Sequence, residues 1–291
     1  MVNTQERNRV EHCGDQVRSS KRYWREDHKT GRRKMMRVTV CELADAPNSF
    51  ASEWEQLVAH VKTESSQLVL LPEMPFCSWF AVTDQFNEEV WQQAVQAHDV
   101  WLRRLLELTP ALVLGSRPVD EGGRRLNQGF VWDQTAGYRA AHLKYYLPNE
   151  DGFWEASWYE RGEGSFIPIS CGAAQTGFQI CTDLWFMEHA RAYGKAGVHL
   201  LVNPRATAQP TLDKWLAGGR AAAVVAGAYC LSSNRVSKEV PGLTFGGQGW
   251  IIGPDGEVLG LTSPERPFLT MDIDLREAEC AKSTYPRYVR E

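Results

Sequence analysis

The sequence has 291 residues, enough for one large α/β domain or two small ones. Hydrophobic residues make up 43% and charged residues 23%, ordinary values for a soluble, well-packed protein. The net charge of −4 gives no basic surface for nucleic acid, and no apolar run approaches the roughly 18 residues that a membrane span needs.

Residues 1–35 differ from the rest because they are densely charged and almost devoid of aliphatic side chains. Such a segment cannot bury a core, so we predict a disordered N-terminal extension followed by a folded domain at residues 36–291. The segment lacks the apolar region of a secretory signal, and its acidic residues argue against an organelle transit peptide. No proline-rich or glycine-rich linker divides the folded part, so one domain is predicted.

From residue 36 onward, short apolar runs alternate with longer amphipathic ones. Short apolar runs bounded by polar or turn residues predict buried strands, and apolar positions spaced on one helical face predict helices. We predict strands at 37–41, 67–71, 111–115 and 198–202, and helices at 51–63, 87–108 and 211–227.

Two segments have the pattern of β-hairpins. Residues 126–144 contain two runs joined by Gln-Thr-Ala-Gly, and residues 249–262 contain two runs around Pro-Asp-Gly, a strong turn signal. Hairpins mixed with β-α segments indicate an α/β fold with a mixed sheet, or two sheets, covered by helices.

The seven cysteines are odd in number and show no CxxC spacing, and no His or Cys pair has the spacing of zinc ligands. We therefore expect no disulfide framework and no metal site. A reducing compartment fits this pattern best, and we expect a cytoplasmic protein.

Three candidate reactive residues stand at the ends of predicted strands: Glu73, Lys144 and Cys181. Each alone is weak, since a loop acid, a strand-end lysine and a small buried cysteine are all commonplace. Cys181 is favoured over the other cysteines because it stands at a strand-to-helix junction. There the helix dipole is expected to lower the pKa of its thiol.

Together these residues and their flanks resemble the nitrilase superfamily of carbon–nitrogen hydrolases, over roughly residues 36–275. The motifs are "LPE" with Glu73, "HLKYYLP" with Lys144 and "ICTDLWFMEHAR" with Cys181, followed by "SSNRV" and "FGGQGWIIGPDGEVL". Five motifs in the right order are a strong signal. Within the superfamily the sequence is most similar to N-carbamoylputrescine amidases and their relatives.

The resemblance implies a four-layer α-β-β-α sandwich and a hydrolase that cleaves a non-peptide C–N bond of a small amide or N-carbamoyl amine through a cysteine thioester. Cys181 is the implied nucleophile, Glu73 the general base and Lys144 the electrophile. Glu155 is expected as the supporting second glutamate, with Glu150 as the alternative.

The resemblance requires no cofactor and favours a homodimer or a larger homo-oligomer. The expected partner is a small-molecule substrate, with neither nucleic acid nor a membrane. Five residues are candidates for binding the substrate: Thr182, Trp154, Trp185, Arg205 and Tyr146. For Arg205, a structural role in which it holds loop carbonyls is an equally good explanation.

The sequence departs from the family pattern at Tyr146, where a histidine is common, and at Thr182, where an aromatic residue is common. These differences leave the chemistry intact and the substrate open. Other hypotheses are a nitrile hydrolase, a non-catalytic scaffold of the same fold, and a Cys–His enzyme that recruits His142, His189 or His199.

Overall fold

The protein is described by a computed structural model that covers residues 33–237 and 243–289. Met35–Glu291 form one compact unit, separate from Met1–Lys34. The predicted extension at residues 1–35 lies almost wholly outside the described residues and stays a prediction. None of the helices in the described part of the chain is long and apolar enough to cross a membrane.

Twelve strands lie in the described residues. They are β1 (Met35–Ala44), β2 (Leu68–Leu70), β3 (Leu112–Glu121), β4 (Arg124–Asp133), β5 (Gly137–Leu143), β6 (Ile169–Cys171), β7 (Ala174–Phe178), β8 (Leu200–Arg205), β9 (Tyr229–Val236), β10 (Trp250–Ile252), β11 (Val258–Leu261) and β12 (Phe268–Asp274).

The same described residues contain six α-helices and three 3-10 turns. The helices are α1 (Pro47–Glu64), α2 (Glu88–Leu102), α3 (Glu155–Trp158), α4 (Met187–Lys195), α5 (Leu212–Ala226) and α6 (Leu275–Ala281). The 3-10 turns are Arg103–Leu108, Cys181–Trp185 and Gln209–Thr211.

The strands pair as two mixed sheets. The first has the order β12-β1-β2-β3-β4-β5, and the second has the order β6-β7-β8-β9-β10-β11. The end of β1, residues Glu42–Ala44, pairs in parallel with residues Asn234–Val236 of β9 and joins the two sheets.

Both faces of the central strands β1, β2, β8 and β9 are buried, which explains why their apolar runs do not alternate with polar residues as a half-exposed strand would. Alternate side chains of one strand point to opposite faces, so neighbouring residues belong to different cores. Between the sheets lie Val38, Val40, Leu68, Leu70, Phe178, Leu200, Val202 and Leu231. On the outer faces, Val69 and Leu71 pack with Trp54 and Leu57 of α1, and Leu201 and Cys230 pack with Ala222 and Ala223 of α5.

The predicted four-layer α-β-β-α sandwich is confirmed by these three cores. The strands and helices predicted from periodicity are all present, and both hairpins form, as β4-β5 and β10-β11. The segment predicted as one helix at 87–108 is instead an α-helix that ends at Leu102, followed by a 3-10 turn. The predicted strand at 111–115 extends to Glu121, since its antiparallel pairing with β4 continues beyond the buried run.

Candidate active site

Glu73 lies in the loop that follows β2, and its side chain is fully buried. The loop is held by the guanidinium of Arg235 from β9, which donates to the carbonyls of Glu73 at 3.0 Å and Cys77 at 2.9 Å, and also to that of Met74. Arg235 is itself paired with Asp45 at the end of β1. The β1–β9 junction therefore fixes the backbone that carries Glu73.

Lys144 follows β5, and its backbone N–H donates to the carbonyl of Asn127 on β4 at 2.9 Å. Its ammonium lies between two buried carboxylates, 2.8 Å from Glu73 Oε1 and 2.5 Å from Glu155 Oε2. The Asn127 amide also donates to Glu73 Oε1, at 2.8 Å, and the Tyr159 hydroxyl donates to Glu155. The structure thus brings Glu73, Lys144 and Glu155 together from three separate segments.

Burial and charge act in opposite directions on this cluster. Burial by itself lowers the pKa of Lys144, but the carboxylates of Glu155 and Glu73 outweigh it and raise the pKa above the ordinary value. The lysine therefore stays an ammonium at neutral pH. Burial raises the pKa of Glu155 to about 7, and the charge of Lys144 limits the rise.

Cys181 begins the 3-10 turn that follows β7, and its backbone has a φ of 46°, in the left-handed region that non-glycine residues seldom adopt. The Asn203 amide of β8 donates to the carbonyl of Cys181 at 3.1 Å and holds this conformation. The Sγ atom lies 4.0 Å from the carbonyl oxygen of Ala206. A nucleophile on a strained turn of this kind is held in one fixed direction.

The predicted lowering of the Cys181 pKa by a helix dipole is wrong. The next α-helix, α4, begins only at Met187, and burial followed by the charge of Glu73 raises the pKa of the thiol well above its ordinary value. Lys144 opposes this rise without cancelling it. The thiol is therefore protonated at rest, and attack requires a base to take the proton at that moment.

We expect no thiolate to form at Cys181 below about pH 9, where an ordinary cysteine is already largely ionised. The measurement is the ultraviolet absorbance of the thiolate, taken as the difference between the wild type and Cys181→Ser. The difference is followed from about pH 6 to about pH 9, a range that includes the pKa of an ordinary thiol. Absorbance that appears in this difference spectrum near neutral pH would contradict the protonated resting state.

Asp183, two residues after Cys181, connects the segment that carries Cys181 to the segment that carries Lys144. Its fully buried carboxylate accepts hydrogen bonds from the backbone N–H of Ile180 at 3.1 Å and of Tyr146 at 3.0 Å, and a longer one from Tyr145. It also lies 2.9 Å from Nε2 of His142. One side chain thus joins the residue before Cys181 to the residues after Lys144.

The Cys181 side chain lines a cavity of about 290 Å³. Its remaining lining residues in the described part of the chain are Pro148, Glu150, Phe153, Glu155, Thr182, Trp185, Ala206, Thr207, Ala208, Thr211 and Trp215. The buried end contains the thiol and Glu155, and the exposed end contains Glu150 and the 41% exposed Trp185. The cavity is therefore small, open at one side and walled mainly by apolar groups.

Of the five predicted substrate-binding residues, Thr182 and Trp185 line this cavity. Trp154, Arg205 and Tyr146 are not among the described residues that line it, and each has protein partners, so their role in substrate binding stays a prediction. Arg205 is buried and donates to Ser232, Thr207 and the carbonyl of Gln248, which is the loop-holding role considered as its alternative. Tyr146 stacks on Phe186, and Trp154 packs outside the cavity beside Trp79 and Trp158.

The histidines proposed for a Cys–His arrangement are also engaged elsewhere. His142 contacts Asp183, His189 contacts the Tyr146 hydroxyl at 2.9 Å, and His199 accepts from the N–H of Gln175 at 2.9 Å. Within residues 33–237 and 243–289 there is no cluster of three His, Cys, Asp or Glu side chains that could hold a metal ion.

Sequence reasoning missed Asp183, Arg235, Asn127 and Tyr159. Asp183 and Arg235 lie inside quoted motifs, so their positions were visible but their roles were not. Asn127 and Tyr159 carried no local signal, because their importance comes only from contacts with Glu73 and Glu155 across the fold.

The profile of the carbon-nitrogen hydrolase family matches residues 37–282, most of the chain. The chloroplastic omega-amidase of Arabidopsis thaliana is 26% identical over 269 residues, covering 86% of this chain and 70% of that protein. The N-carbamoylputrescine amidase of Solanum tuberosum is 30% identical over 156 residues, which cover 47% of this chain and 50% of that protein.

Solved structures agree with the fold. The carbon-nitrogen hydrolase from Helicobacter pylori G27 superposes with a TM-score of 0.73 at 21% identity, covering 87% of this chain and 94% of that chain. An amidase from Nesterenkonia sp. superposes with a TM-score of 0.69 at 23% identity, covering 84% and 92% respectively. At these identities the likeness concerns the fold alone.

Proposed function

The chain belongs to the carbon-nitrogen hydrolase family and is a hydrolase of non-peptide C–N bonds, and we propose that it cleaves small amides or N-carbamoyl amines through a thioester on Cys181. We further propose that residues 36–291 form the catalytic domain, with Cys181, Glu73 and Lys144 as catalytic residues and Glu155 as a positioning residue. One observation carries the proposal: an ammonium held between two buried carboxylates beside a buried thiol that lines a cavity.

The first half-reaction forms the thioester. Glu73 takes the thiol proton while the Cys181 sulfur bonds to the carbonyl carbon of the substrate. The Oε2 atom of Glu73 is buried without a hydrogen-bond partner among the described residues, which leaves it available for the thiol proton. The oxyanion that develops is stabilised by the Lys144 ammonium and by the backbone N–H of Thr182.

The first half-reaction ends when the C–N bond of the tetrahedral intermediate breaks and the amine or ammonia leaves with the proton held by Glu73, which completes the thioester. The second half-reaction restores the enzyme. Glu73 then takes a proton from water as the water oxygen attacks the thioester. The C–S bond breaks, the acid product leaves, and the proton returns from Glu73 to Cys181. Protons and electrons balance without any cofactor.

Lys144 stabilises the oxyanion only while it is charged and fixed in place. Glu155 helps to keep Lys144 charged, because its carboxylate attracts the ammonium. It also helps to fix the position of Lys144, because Glu155 is itself held by the Tyr159 hydroxyl. The role of Glu155 is therefore to position Lys144 rather than to touch the substrate carbonyl.

The names of the relatives support an amide or carbamoyl substrate rather than a nitrile, since the Arabidopsis protein is an omega-amidase and the potato protein is an N-carbamoylputrescine amidase. A relative of 25% identity from Pyrococcus abyssi carries the name nitrilase, so nitriles remain a second candidate. The alternative of a non-catalytic scaffold leaves the buried charge cluster without a purpose, since such a cluster is costly to bury.

Intact-mass spectrometry tests the proposal on the full chain. The protein is incubated with a panel of short amides, N-carbamoyl amines and nitriles, and ammonia release is followed in parallel. We expect an acyl adduct on Cys181 with one of the first two classes, and no adduct and no release in Cys181→Ala. Equal ammonia release by both proteins would refute the nucleophile, and an adduct from nitriles alone would make the enzyme a nitrile hydrolase.

We also propose that the enzyme is a homodimer in the cytoplasm. All six described cysteines are free, which supports a reducing compartment. Arg191 of α4 donates to the carbonyls of Arg287 and Val289, and the same segment leaves Tyr285 and Tyr288 exposed by 74% and 62%. This apolar C-terminal surface on α4 supports an interface there, and native mass spectrometry is expected to give the mass of two chains.

A further inference from the structure

His142 lies near the end of β5, two residues before Lys144, and its side chain is buried. The pairing of β4 with β5 shifts register at this point and leaves Ala141 as one extra residue on β5. A bulge of this kind changes the direction of the side chains beside it. The imidazole of His142 points to the 3-10 turn that begins at Cys181.

Both nitrogens of the His142 ring face hydrogen-bond acceptors. Nε2 lies 2.9 Å from Oδ2 of Asp183, and Nδ1 lies 3.3 Å from the carbonyl oxygen of Ser165. A backbone carbonyl has no proton to donate, and a neutral imidazole carries only one N–H. Both hydrogen bonds therefore form only when the ring carries two protons and a positive charge.

The partner of this cation is the Asp183 carboxylate, in which each oxygen faces two donors. Oδ1 accepts from the backbone N–H groups of Tyr145 and Tyr146, and Oδ2 accepts from the N–H of Ile180 and faces the His142 ring. An ionised carboxylate has acceptor sites for four such donors. The His142 and Asp183 side chains are exposed by only 1% and 0%, so water does not compete for these contacts.

The other titratable groups near the ring belong to α4 and to the segment after Lys144. Phe166 packs against the His142 ring at a centroid distance of 4.7 Å and stacks on His189 of α4 at 3.5 Å. Among the described residues, Asp183 is the ionisable group that the ring contacts by a hydrogen bond, so the charge of the ring acts first on Asp183. The more distant titratable side chains are Tyr146, Glu188, His189 and Tyr193.

We propose that His142 is a positioning residue, and that its imidazolium holds the Asp183 carboxylate in the bridge between the segments that carry Cys181 and Lys144. This inference rests on the proposed roles of those two residues and adds the group that fixes their relative placement. His142 and Asp183 are not among the described residues that line the cavity, so the effect is on kcat rather than on KM. Loss of the ring charge at alkaline pH lowers kcat, because the attraction to Asp183 and the hydrogen bond to Ser165 are lost.

Two neutral variants of the full chain test the proposal, because each keeps one of the two donors. The side-chain amide of His142→Gln reaches the position of Nε2, toward Asp183, and that of His142→Asn reaches the position of Nδ1, toward Ser165. We expect kcat to fall by about 3- to 10-fold in the Gln variant and by about 10- to 100-fold in the Asn variant, with little change in KM.

His60→Gln is the matched control, because His60 lies on α1 and contacts the Thr270 hydroxyl at 2.8 Å. Its kcat is expected to equal that of the wild type. If His142→Asn retained more activity than His142→Gln, the ring would serve the Ser165 loop, and the proposal would be overturned. A fall in KM-dependent binding with kcat unchanged would overturn it as well.

The double variant His142→Asn/Asp183→Asn measures whether His142 acts through Asp183. If it does, the bridge is already lost in Asp183→Asn, and we expect the double variant to have the kcat of Asp183→Asn alone. A kcat reduced by the product of the two single effects would show that the residues act independently and would refute the proposal.

Nitrogen-15 NMR of the histidine rings measures the charge of His142 without turnover, and the His142 signal is identified by its absence from His142→Gln. We expect both ring nitrogens to carry protons at neutral pH. We also expect the kcat of the wild type to fall over the alkaline range in which this signal reports the loss of one proton. A neutral ring at neutral pH, or a proton loss that leaves kcat unchanged, is incompatible with the proposal.

A failure of the proposed function is distinguishable from a failure of this inference. If the wild type hydrolyses no amide, the proposed function fails, and the rate at which iodoacetamide alkylates Cys181 is then followed by intact-mass spectrometry, with Cys181→Ala as the blank. Slower alkylation in His142→Asn than in His142→Gln supports the positioning role, and equal rates in both variants and the wild type overturn it.

Discussion

Lys144→Met is expected to abolish amide turnover and to lower the free energy of unfolding by about 3–5 kcal/mol. The ammonium lies 2.8 Å from Glu73 and 2.5 Å from Glu155, and all three side chains are fully buried. Removal of the cation leaves two carboxylates facing each other in a medium that solvates neither. The measurements are ammonia release and urea-induced unfolding of the purified variant.

The double variant Lys144→Met/Glu155→Gln separates stability from catalysis. It retains a single buried carboxylate, so we expect it to regain part of the lost stability, with a coupling energy of about 1–3 kcal/mol between the two positions. Activity is expected to stay absent, because the group that stabilises the oxyanion is still missing. Glu155→Gln alone is expected to fold normally and turn over more slowly through misplacement of Lys144.

The stability lost in Lys144→Met is expected to depend on pH. Without the ammonium, burial and the second carboxylate raise the pKa of a carboxyl group in the folded protein above its unfolded value of 4.5. The folded state then binds more protons than the unfolded state, so stability falls as the pH rises above that value. The defect should be smaller near pH 5 than near pH 8. A Lys144→Met variant that is as stable as the wild type at both pH values, or that keeps amide turnover, would contradict the proposed role of Lys144.

Asp183→Asn is expected to reduce kcat by about 100-fold or more and to lower the free energy of unfolding by about 3 kcal/mol. The carboxylate accepts from three backbone N–H groups and contacts His142, and an amide replaces one of its acceptor oxygens with a donor. At least one buried N–H is then left without a partner. The segments carrying Lys144 and Cys181 lose the side chain that ties them together.

Asp213→Asn is the control for this substitution, because Asp213 is exposed in the first turn of α5. Its activity and stability are expected to remain close to those of the wild type. If Asp183→Asn lowers stability while the remaining folded protein keeps the kcat of the wild type, Asp183 supports the fold without positioning the reacting groups.

The thiol of Cys181 is protonated at rest because it is buried, and Lys144 is charged at rest in spite of its burial. Transfer from water penalises the charged form of every group, so the thiolate is disfavoured. The lysine escapes this penalty because two carboxylates surround it. This arrangement suits the proposed transfer of the thiol proton to Glu73, because the ammonium that we propose to stabilise the oxyanion is already in place.

The sequence by itself predicted the strands and helices, the four-layer class and the family, and these predictions succeeded because each depends on local information: apolar periodicity, turn residues and short motifs. It also suggested Glu73, Lys144, Cys181 and Glu155 as site residues, and the structure brings Glu155, not Glu150, to Lys144.

Only the tertiary structure decided which polar groups are buried and what they face. The raised pKa of Cys181, the loop-holding role of Arg205, the bridging position of Asp183 and the placement of Glu150 at the open end of the cavity all depend on residues distant in sequence. The pKa of a side chain and the occupancy of its hydrogen bonds are set by neighbours within a few ångströms. Those neighbours are gathered by the packing of two sheets, which no local pattern specifies.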